Sequence, residues 1–151
     1  MDDKLFNTTV SKDLFSLICG KKIGAGIGRE VYILKTDPTK VIKIETGQHS
    51  FQNIMEWEMW RDIQFSKHKN SFAACIDISP CGIIMIQERT ERPLKKDYPK
   101  KVPHFFNDLK YSNYGVVVRK GKKHFVCHDY GNTIQGKNFT DKKKKADWWE
   151  E

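Results

Sequence analysis

No stretch of this 151-residue chain approaches the ~20 consecutive apolar residues that span a bilayer, so no membrane partner is expected. The opening Met-Asp-Asp-Lys is polar and acidic, which argues against a secretory leader. The four cysteines, Cys19, Cys75, Cys81 and Cys127, form no Cys-x-x-Cys pair, so a zinc ribbon is not expected. Without a leader they read as reduced thiols in a cytoplasmic protein. Cys127 has His124 and His128 nearby, and the three read as a strand with flanking histidines rather than a metal site. No internal repeat is present, and no G-x-x-x-x-G-K-S/T run, which excludes a Walker-type phosphate loop. Acidic residues are in deficit: 19 Asp and Glu against 27 Lys and Arg leave a net charge of +8. Such a balance attracts polyanions without choosing among them. Aromatic residues at 12% and charged residues at 30% place the chain among globular domains, neither disordered nor membrane-embedded. The length favours one domain with a modest core.

Ser11 is expected to open a short helix with Leu14, Phe15, Leu17 and Ile18 on its apolar side, closed by Cys19-Gly20. The run from Ile23 to Leu34 reads as two strands joined through a glycine-rich turn, and Val41–Glu45 as a third strand rich in β-branched residues. Helical spacing runs from about Phe51 to Phe65. Phe72–Ile78 and Gly82–Gln87 read as two further strands around Ser79-Pro80-Cys81-Gly82. Glu91–Pro103 is basic and expected to be irregular. Tyr114–Val118 and His124–Cys127 form a predicted hairpin around Lys120-Gly121-Lys122-Lys123, and Thr140 is expected to cap a short terminal helix.

The glycine-rich turn, with Gly24, Gly26 and Gly28, suits either a phosphate cradle or an ordinary tight hairpin. It lies on a strand pair, not before a helix, which excludes a Rossmann turn. Lys43 sits among apolar strand residues and shares a face with Val41. A lysine there needs an anionic partner or must reach solvent along its stem. The following helix offers Glu56 and Glu58. Glu56 shares a face with Trp60 and Ile63 and is preferred, while Glu58 lies with Arg61 and Asp62. Further on, Asp108-Leu109-Lys110-Tyr111-Ser112-Asn113 is followed, after the hairpin, by His128-Asp129-Tyr130-Gly131.

With these residues in this order, the chain resembles the protein kinase superfamily from about Ile23 to Gly131. Asp108-Leu109-Lys110-x-x-Asn113 is similar to the catalytic loop, Asp129-Tyr130-Gly131 to the D-F-G motif, and Val41-Ile42-Lys43 to V-A-I-K. The chain also resembles small kinase-like proteins of tailed bacteriophages, around Phe51–Trp60, Ile78–Gly82 and the stretch from Asp108 to Gly131. The resemblance implies an α+β fold. It would have a kinase-like N-lobe of about five antiparallel strands with one long helix, and a much reduced C-lobe holding the catalytic loop and a small β-hairpin. The chain would be one minimal domain, with an N-terminal helix in 1–20, the N-lobe in 21–90, the reduced C-lobe in 91–135 and a basic, aromatic tail in 136–151.

The resemblance further implies ATP and Mg²⁺ as cofactors. Lys43 would hold the α- and β-phosphates, oriented by Glu56, beneath Gly24, Gly26 and Gly28. Val31 and Val41 would sandwich the adenine, and Gln87-Glu88-Arg89 would be the hinge that reads its edge. Asn113 and Asp129 would ligate the metal, Asp108 would accept the hydroxyl proton, and Lys110 would neutralise the transferred phosphoryl group.

Departures from the pattern are informative. Arg29 stands where the third glycine belongs, and Phe106-Asn107 replaces the His-Arg before Asp108, so control through that arginine is not expected. Residues 89–107 are too few for the usual C-lobe helices, and the 20 residues after Gly131 leave no room for a full activation segment or peptide-docking helices. Three functions follow as alternatives: an ATP-dependent phosphotransferase of the serine/threonine protein kinase type, acting on a protein substrate, first in order, then a nucleotide-binding pseudokinase acting through a protein partner, then a polyanion binder. The lysines at 120, 122, 123 and 142–145 are read as a solvated turn and tail, so nucleic acid is not the expected partner. Phe105-Phe106 and Trp148-Trp149 are read as core or lid residues before partner anchors. A homodimer covering the surface left by missing helices is a further expectation, as is the host cytoplasm for a viral protein.

Overall fold

The computed structural model describes residues 9–47, 50–131 and 139–151. The fold is α+β, with two α-helices and a five-stranded antiparallel sheet among the described residues. Helix α1 (Thr9–Ile18) leads into β1 (Cys19–Gly26), β2 (Arg29–Leu34) and β3 (Lys40–Glu45). Helix α2 (Gln52–Ile63) precedes the hairpin of β4 (Cys75–Ile78) and β5 (Ile84–Glu88). The strand order is β1-β2-β3-β5-β4, so β5 pairs with β3 and β4 becomes an edge. Then follow β6 (Lys101–Pro103), the hairpin of β7 (Tyr114–Arg119) and β8 (Lys122–Cys127), and β9 (Lys143–Lys145). The chain divides into two compact units. The first comprises residues up to Ile54 together with Cys75–Arg89, and the second comprises Met55–Ala74 and the residues from Thr90 on. The divisions fall after Ile54, Ala74 and Arg89, so most of α2 belongs to the second unit. The expected boundary between residues 135 and 136 lies outside the described residues.

In the first unit the sheet sorts its residues by alternation. Cys19, Leu34 and Ile42 form a buried cluster on one face, with Tyr32, Ile44 and Ile86 packed against it. Phe15 of α1 meets Tyr32 edge-on at 5.1 Å. The helix begins at Thr9 rather than Ser11 and buries none of its residues, so Leu14, Leu17 and Ile18 of the expected apolar side stay exposed. The turn from β4 to β5 closes with the Gly82 N–H donating to the Ser79 carbonyl at 2.8 Å. Gly82 has φ of +76°, and a Cβ there would lie 2.4 Å from Cγ1 of Ile54, so glycine is required twice over.

The second unit has an aromatic core. Phe72 and Phe106 are fully buried, and Phe105 stacks on Phe72 at 5.8 Å, which settles the Phe105-Phe106 pair as core. The hairpin turn Lys120-Gly121 takes left-handed angles at both positions (φ 50° and 74°), as a two-residue turn between twisted strands requires. Val117 and Val126 pack with Ala73 beneath it. The terminal helix expected from Thr140 is replaced by β9, which pairs antiparallel with β6: Lys101 lies opposite Lys145, and Pro103 opposite Lys143. Four consecutive lysines would crowd like charges on a helix surface, whereas an extended strand sends successive side chains to opposite faces. Glu91–Pro103, expected to be irregular, includes a 3₁₀ turn at Lys95–Asp97 and strand β6.

Candidate functional site

In the first unit, the face opposite the Cys19–Leu34–Ile42 cluster gathers the residues expected to meet a nucleotide. Val31 is opposite Lys43, and Lys43 opposite Met85; Val41 is opposite Gln87. Directly opposed residues share a face, so Val31, Val41, Lys43, Met85 and Gln87 line one surface. Lys43 is 2% exposed, and Gln87 is fully buried with no hydrogen-bond partner at its Oε1 among the described residues. Gly24 pairs with Val31 on the same surface. Gly26 ends β1, and a Cβ built there meets nothing within 4 Å. Gly28 follows at φ +132°, its carbonyl accepting from Thr46 N–H at 2.9 Å. Glu88 pairs in register with Lys40, and Arg89 turns back, its guanidinium donating to the Pro38 carbonyl at 3.0 Å.

Two residues that sequence reasoning left unassigned support this surface. Arg29, at the position of the third glycine, is buried and donates to Oδ1 of Asn53 at 3.1 Å. The Asn53 amide in turn donates to the carbonyls of Lys43, Gly82 and Ile83 at 3.0–3.2 Å. Glu45 accepts from the Asn53 N–H at 3.0 Å, giving α2 a carboxylate at its first turn in place of an N-cap. Asn53 thus joins the strand carrying Lys43 to the β4–β5 turn. Beyond it on α2, in the second unit, Glu56 is fully buried and Glu58 is exposed.

The second unit brings together the two motifs that lie 16 residues apart between Asn113 and Asp129. Asn113 is buried in the 3₁₀ turn Tyr111–Asn113, and its Nδ2 donates to Oδ2 of Asp108 at 3.1 Å. The Asn113 carbonyl accepts from His128 N–H at 2.9 Å and from Asp129 N–H at 3.4 Å. The His128 ring is fixed at both nitrogens: Nε2 donates to the Ser112 carbonyl at 2.7 Å, and Nδ1 shares a hydrogen bond with the Thr90 hydroxyl, also at 2.7 Å. Tyr130 is fully buried, and its hydroxyl donates to the Ala73 carbonyl at 2.9 Å. The arrangement therefore accommodates Tyr at this place without an unpaired hydroxyl.

Tyr114 is a residue the sequence did not single out. Its hydroxyl is buried without a hydrogen-bond partner among the described residues. Burial first, then the Cys127 thiol and the charges of Asp108 and Asp129, raise its pKa above the ordinary phenol value. Asn113 bonds to the Asp108 side chain and to the Asp129 backbone, so the two segments share one locality.

Compared with known proteins, the chain matches no family model and no curated protein. Among the described residues, no cluster of three or more His, Cys, Asp or Glu is placed to hold a metal ion. Asp129 and Asn113 supply one carboxylate and one amide oxygen, joined through a backbone bond. Hard oxygen donors in that number suit Mg²⁺, which takes one or two protein ligands and completes its shell with phosphate and water. Cys127 is buried and His128 is engaged at both ring nitrogens, so the Cys127–His128 pair has a structural role.

The last residues also reach this locality, which the sequence did not reveal. Trp148 is held in the aromatic core, its Nε1 donating to the Pro99 carbonyl at 2.8 Å and its ring 5.0 Å from those of Tyr98 and Tyr114. Trp149 points elsewhere: its Nε1 donates to Oδ1 of Asp108 at 3.0 Å. Lys110 pairs with Glu151 at 2.7 Å and lies over the Trp149 ring, 5.4 Å from its centroid.

Proposed function

We propose that this chain is a minimal kinase-like phosphotransferase that moves the γ-phosphoryl group of ATP to a hydroxyl, with Mg²⁺ as cofactor. The observation that carries the proposal is the hydrogen-bonded set Asp108–Asn113–Asp129, in which the D-L-K-x-x-N and D-Y-G segments meet. Phosphoryl transfer asks a protein mainly for positioning and charge neutralisation. Asp108 serves as the acceptor of the hydroxyl proton, its second oxygen fixed by Asn113. Asp129 and Asn113 would hold Mg²⁺, which supplies charge neutralisation to the phosphates when bound.

The first unit's sheet face carries residues that a nucleotide would meet. Val31 and Val41 offer an apolar bed for a purine, and Gly24 and Gly26 leave the backbone open above it. Lys43 supplies the cation for phosphate.

A second reading, a nucleotide-binding pseudokinase, is favoured by one observation: both carboxylate oxygens of Asp108 are already bonded, to Asn113 and to Trp149. Incubating the pure protein with γ-labelled ATP and Mg²⁺, with and without a cell lysate, separates the two. Label transferred by the wild type and not by Asp108→Asn supports the enzyme. ATP-dependent thermal stabilisation without transfer supports the pseudokinase, and neither effect rejects both.

A further inference from the structure

Trp149–Glu151 lies along the candidate catalytic loop as a short parallel partner. The Trp149 N–H donates to the Leu109 carbonyl at 3.1 Å, and the Tyr111 N–H donates to the Trp149 carbonyl at 3.0 Å. Lys110 and Trp149 are thereby bridged in register. Side chains then make two further bonds, indole N–H to Asp108 and Lys110 to the Glu151 carboxylate.

The chemistry of these bonds matches what the reaction would require there. A phosphate acceptor must present an O–H to the Asp108 carboxylate within about 2.6–3.2 Å. Trp149 presents an N–H at 3.0 Å to the same oxygen. Lys110 must face an anion, and it faces the carboxylate of Glu151. A donor on the base and an anion on the lysine are both supplied by one extended stretch of polypeptide.

We infer that Trp149–Glu151 occupies the acceptor position, and that the acceptor is an extended polypeptide which pairs with the Leu109–Tyr111 backbone in the tail's place. This rests on the phosphotransferase reading and adds to it the tail's occupancy of that same site and the strand pairing by which an acceptor would bind there. The hydroxyl-bearing residue takes the place of Trp149, and the γ-phosphoryl group takes the place of the Glu151 carboxylate at Lys110. In the transfer, the acceptor oxygen bonds to the γ-phosphorus of ATP. The bond from that phosphorus to the bridging oxygen breaks, ADP leaves with the electron pair, and the hydroxyl proton passes to Asp108.

The tail is built to exchange. Trp148 anchors it in the core, while Trp149 is 43% exposed and Glu151 more so. Exposed ion pairs contribute little, so displacement loses two backbone bonds and one indole bond. An incoming strand that pairs in the same way restores the backbone bonds.

The test uses the full chain as wild type, Trp149→Ala and Trp149→Ser, each prepared both without and with Asp108→Asn. The probe is a synthetic peptide copying residues 145–151 with serine in place of Trp149. Thermal shift with millimolar ATP and Mg²⁺ is read first, then transfer of γ-label to the peptide, then phosphate at position 149 by mass spectrometry. The expected result is an equal ATP shift in wild type and Trp149→Ala, at least tenfold faster peptide labelling by Trp149→Ala, and phosphate at position 149 of Trp149→Ser, all labelling lost with Asp108→Asn. Transfer by the wild type that Trp149→Ala leaves unchanged or lowers, with position 149 unlabelled in Trp149→Ser, overturns the inference and leaves the enzyme reading standing. An ATP shift with no transfer by any variant overturns both in favour of the pseudokinase, and no ATP shift at all rejects the nucleotide reading itself.

Discussion

Nδ2 of Asn113 donates to Oδ2 of Asp108, 3.1 Å away, so the two ends of the D-L-K-x-x-N segment hold each other. The same asparagine accepts from the Asp129 backbone, and the proposed phosphotransferase gives the two aspartates different tasks. Asp108→Asn is expected to keep ATP affinity and to lower transfer by about 10²–10⁴-fold, the usual loss for a missing acid–base group. Asp129→Asn is expected to weaken Mg²⁺-dependent nucleotide binding as well. Calorimetric ATP titration beside a labelled-transfer assay checks both outcomes.

Glu56 is fully buried and Glu58 exposed on the same helix. Glu56→Lys is expected to destabilise by about 3–5 kcal/mol, the cost of an uncompensated buried charge. Glu58→Lys should stay within about 0.5 kcal/mol of wild type. Urea unfolding of both variants measures the difference, and equal effects would reject the distinct role of Glu56.

Gly115 allows two backbones to meet. A Cβ there would lie 2.5 Å from Thr90 Oγ1 and 3.0 Å from the Glu91 carbonyl. Glu91 and Val116 exchange both backbone hydrogen bonds at this place, and Thr90 also holds His128. Gly115→Ala is expected to cost about 1–3 kcal/mol through overpacking. Its readout is a lower thermal midpoint with a shifted His128 imidazole signal.

Cys19, Cys75 and Cys127 are buried, while Cys81 is exposed in the β4–β5 turn. A hydrogen bond from the Ser79 hydroxyl, then one from the Ile83 backbone, lowers the Cys81 pKa. One thiol should therefore react with iodoacetamide in the native protein, and peptide mapping should place it at Cys81. Ser79→Ala should slow that labelling.

Glu150 ties the tail to Lys95 and, at 3.3 Å, to Arg92. The hydrogen bond from Lys95 is the main cause that lowers the Glu150 pKa. A depressed carboxyl pKa contributes stability that is present above the unfolded value, about 4.3, and is lost as pH falls through the lower folded value. Protection of the Tyr111 and Trp149 amides, relative to their intrinsic exchange rates, should therefore fall below about pH 4 before the aromatic core opens.

Local chemistry made much of the fold legible. Lys120-Gly121 announced its hairpin because a tight turn needs left-handed angles, and Val41–Glu45 announced a strand by its branched residues. The strand assignment of Lys143–Lys145 was not legible, since its partner Lys101–Pro103 lies some 40 residues upstream and leaves no mark on local spacing. The helix Thr9–Ile18 carries an apolar stripe that reads as inward, yet it remains on the surface. Asp108, Lys110 and Asn113 were visible as a motif, but the indole on Asp108 comes from 41 residues away. Arg29 looked like a defect in a glycine pattern, and only the position of Asn53 shows what it holds.

Neither compact unit is a continuous piece of the polypeptide, because the chain passes from one to the other at Ile54, at Ala74 and at Arg89. A ribosome therefore finishes β1, β2 and β3 while one edge of β3 is still bare, and that edge is covered only when Ile84–Glu88 emerges. Cutting the gene after residue 54 or before residue 90 yields stranded elements, not a smaller domain. A single crossover between related genes anywhere from residue 55 to residue 89 would mix parts of both units. Fragment complementation and chimaera building must therefore exchange two segments together, and heredity faces the same restriction.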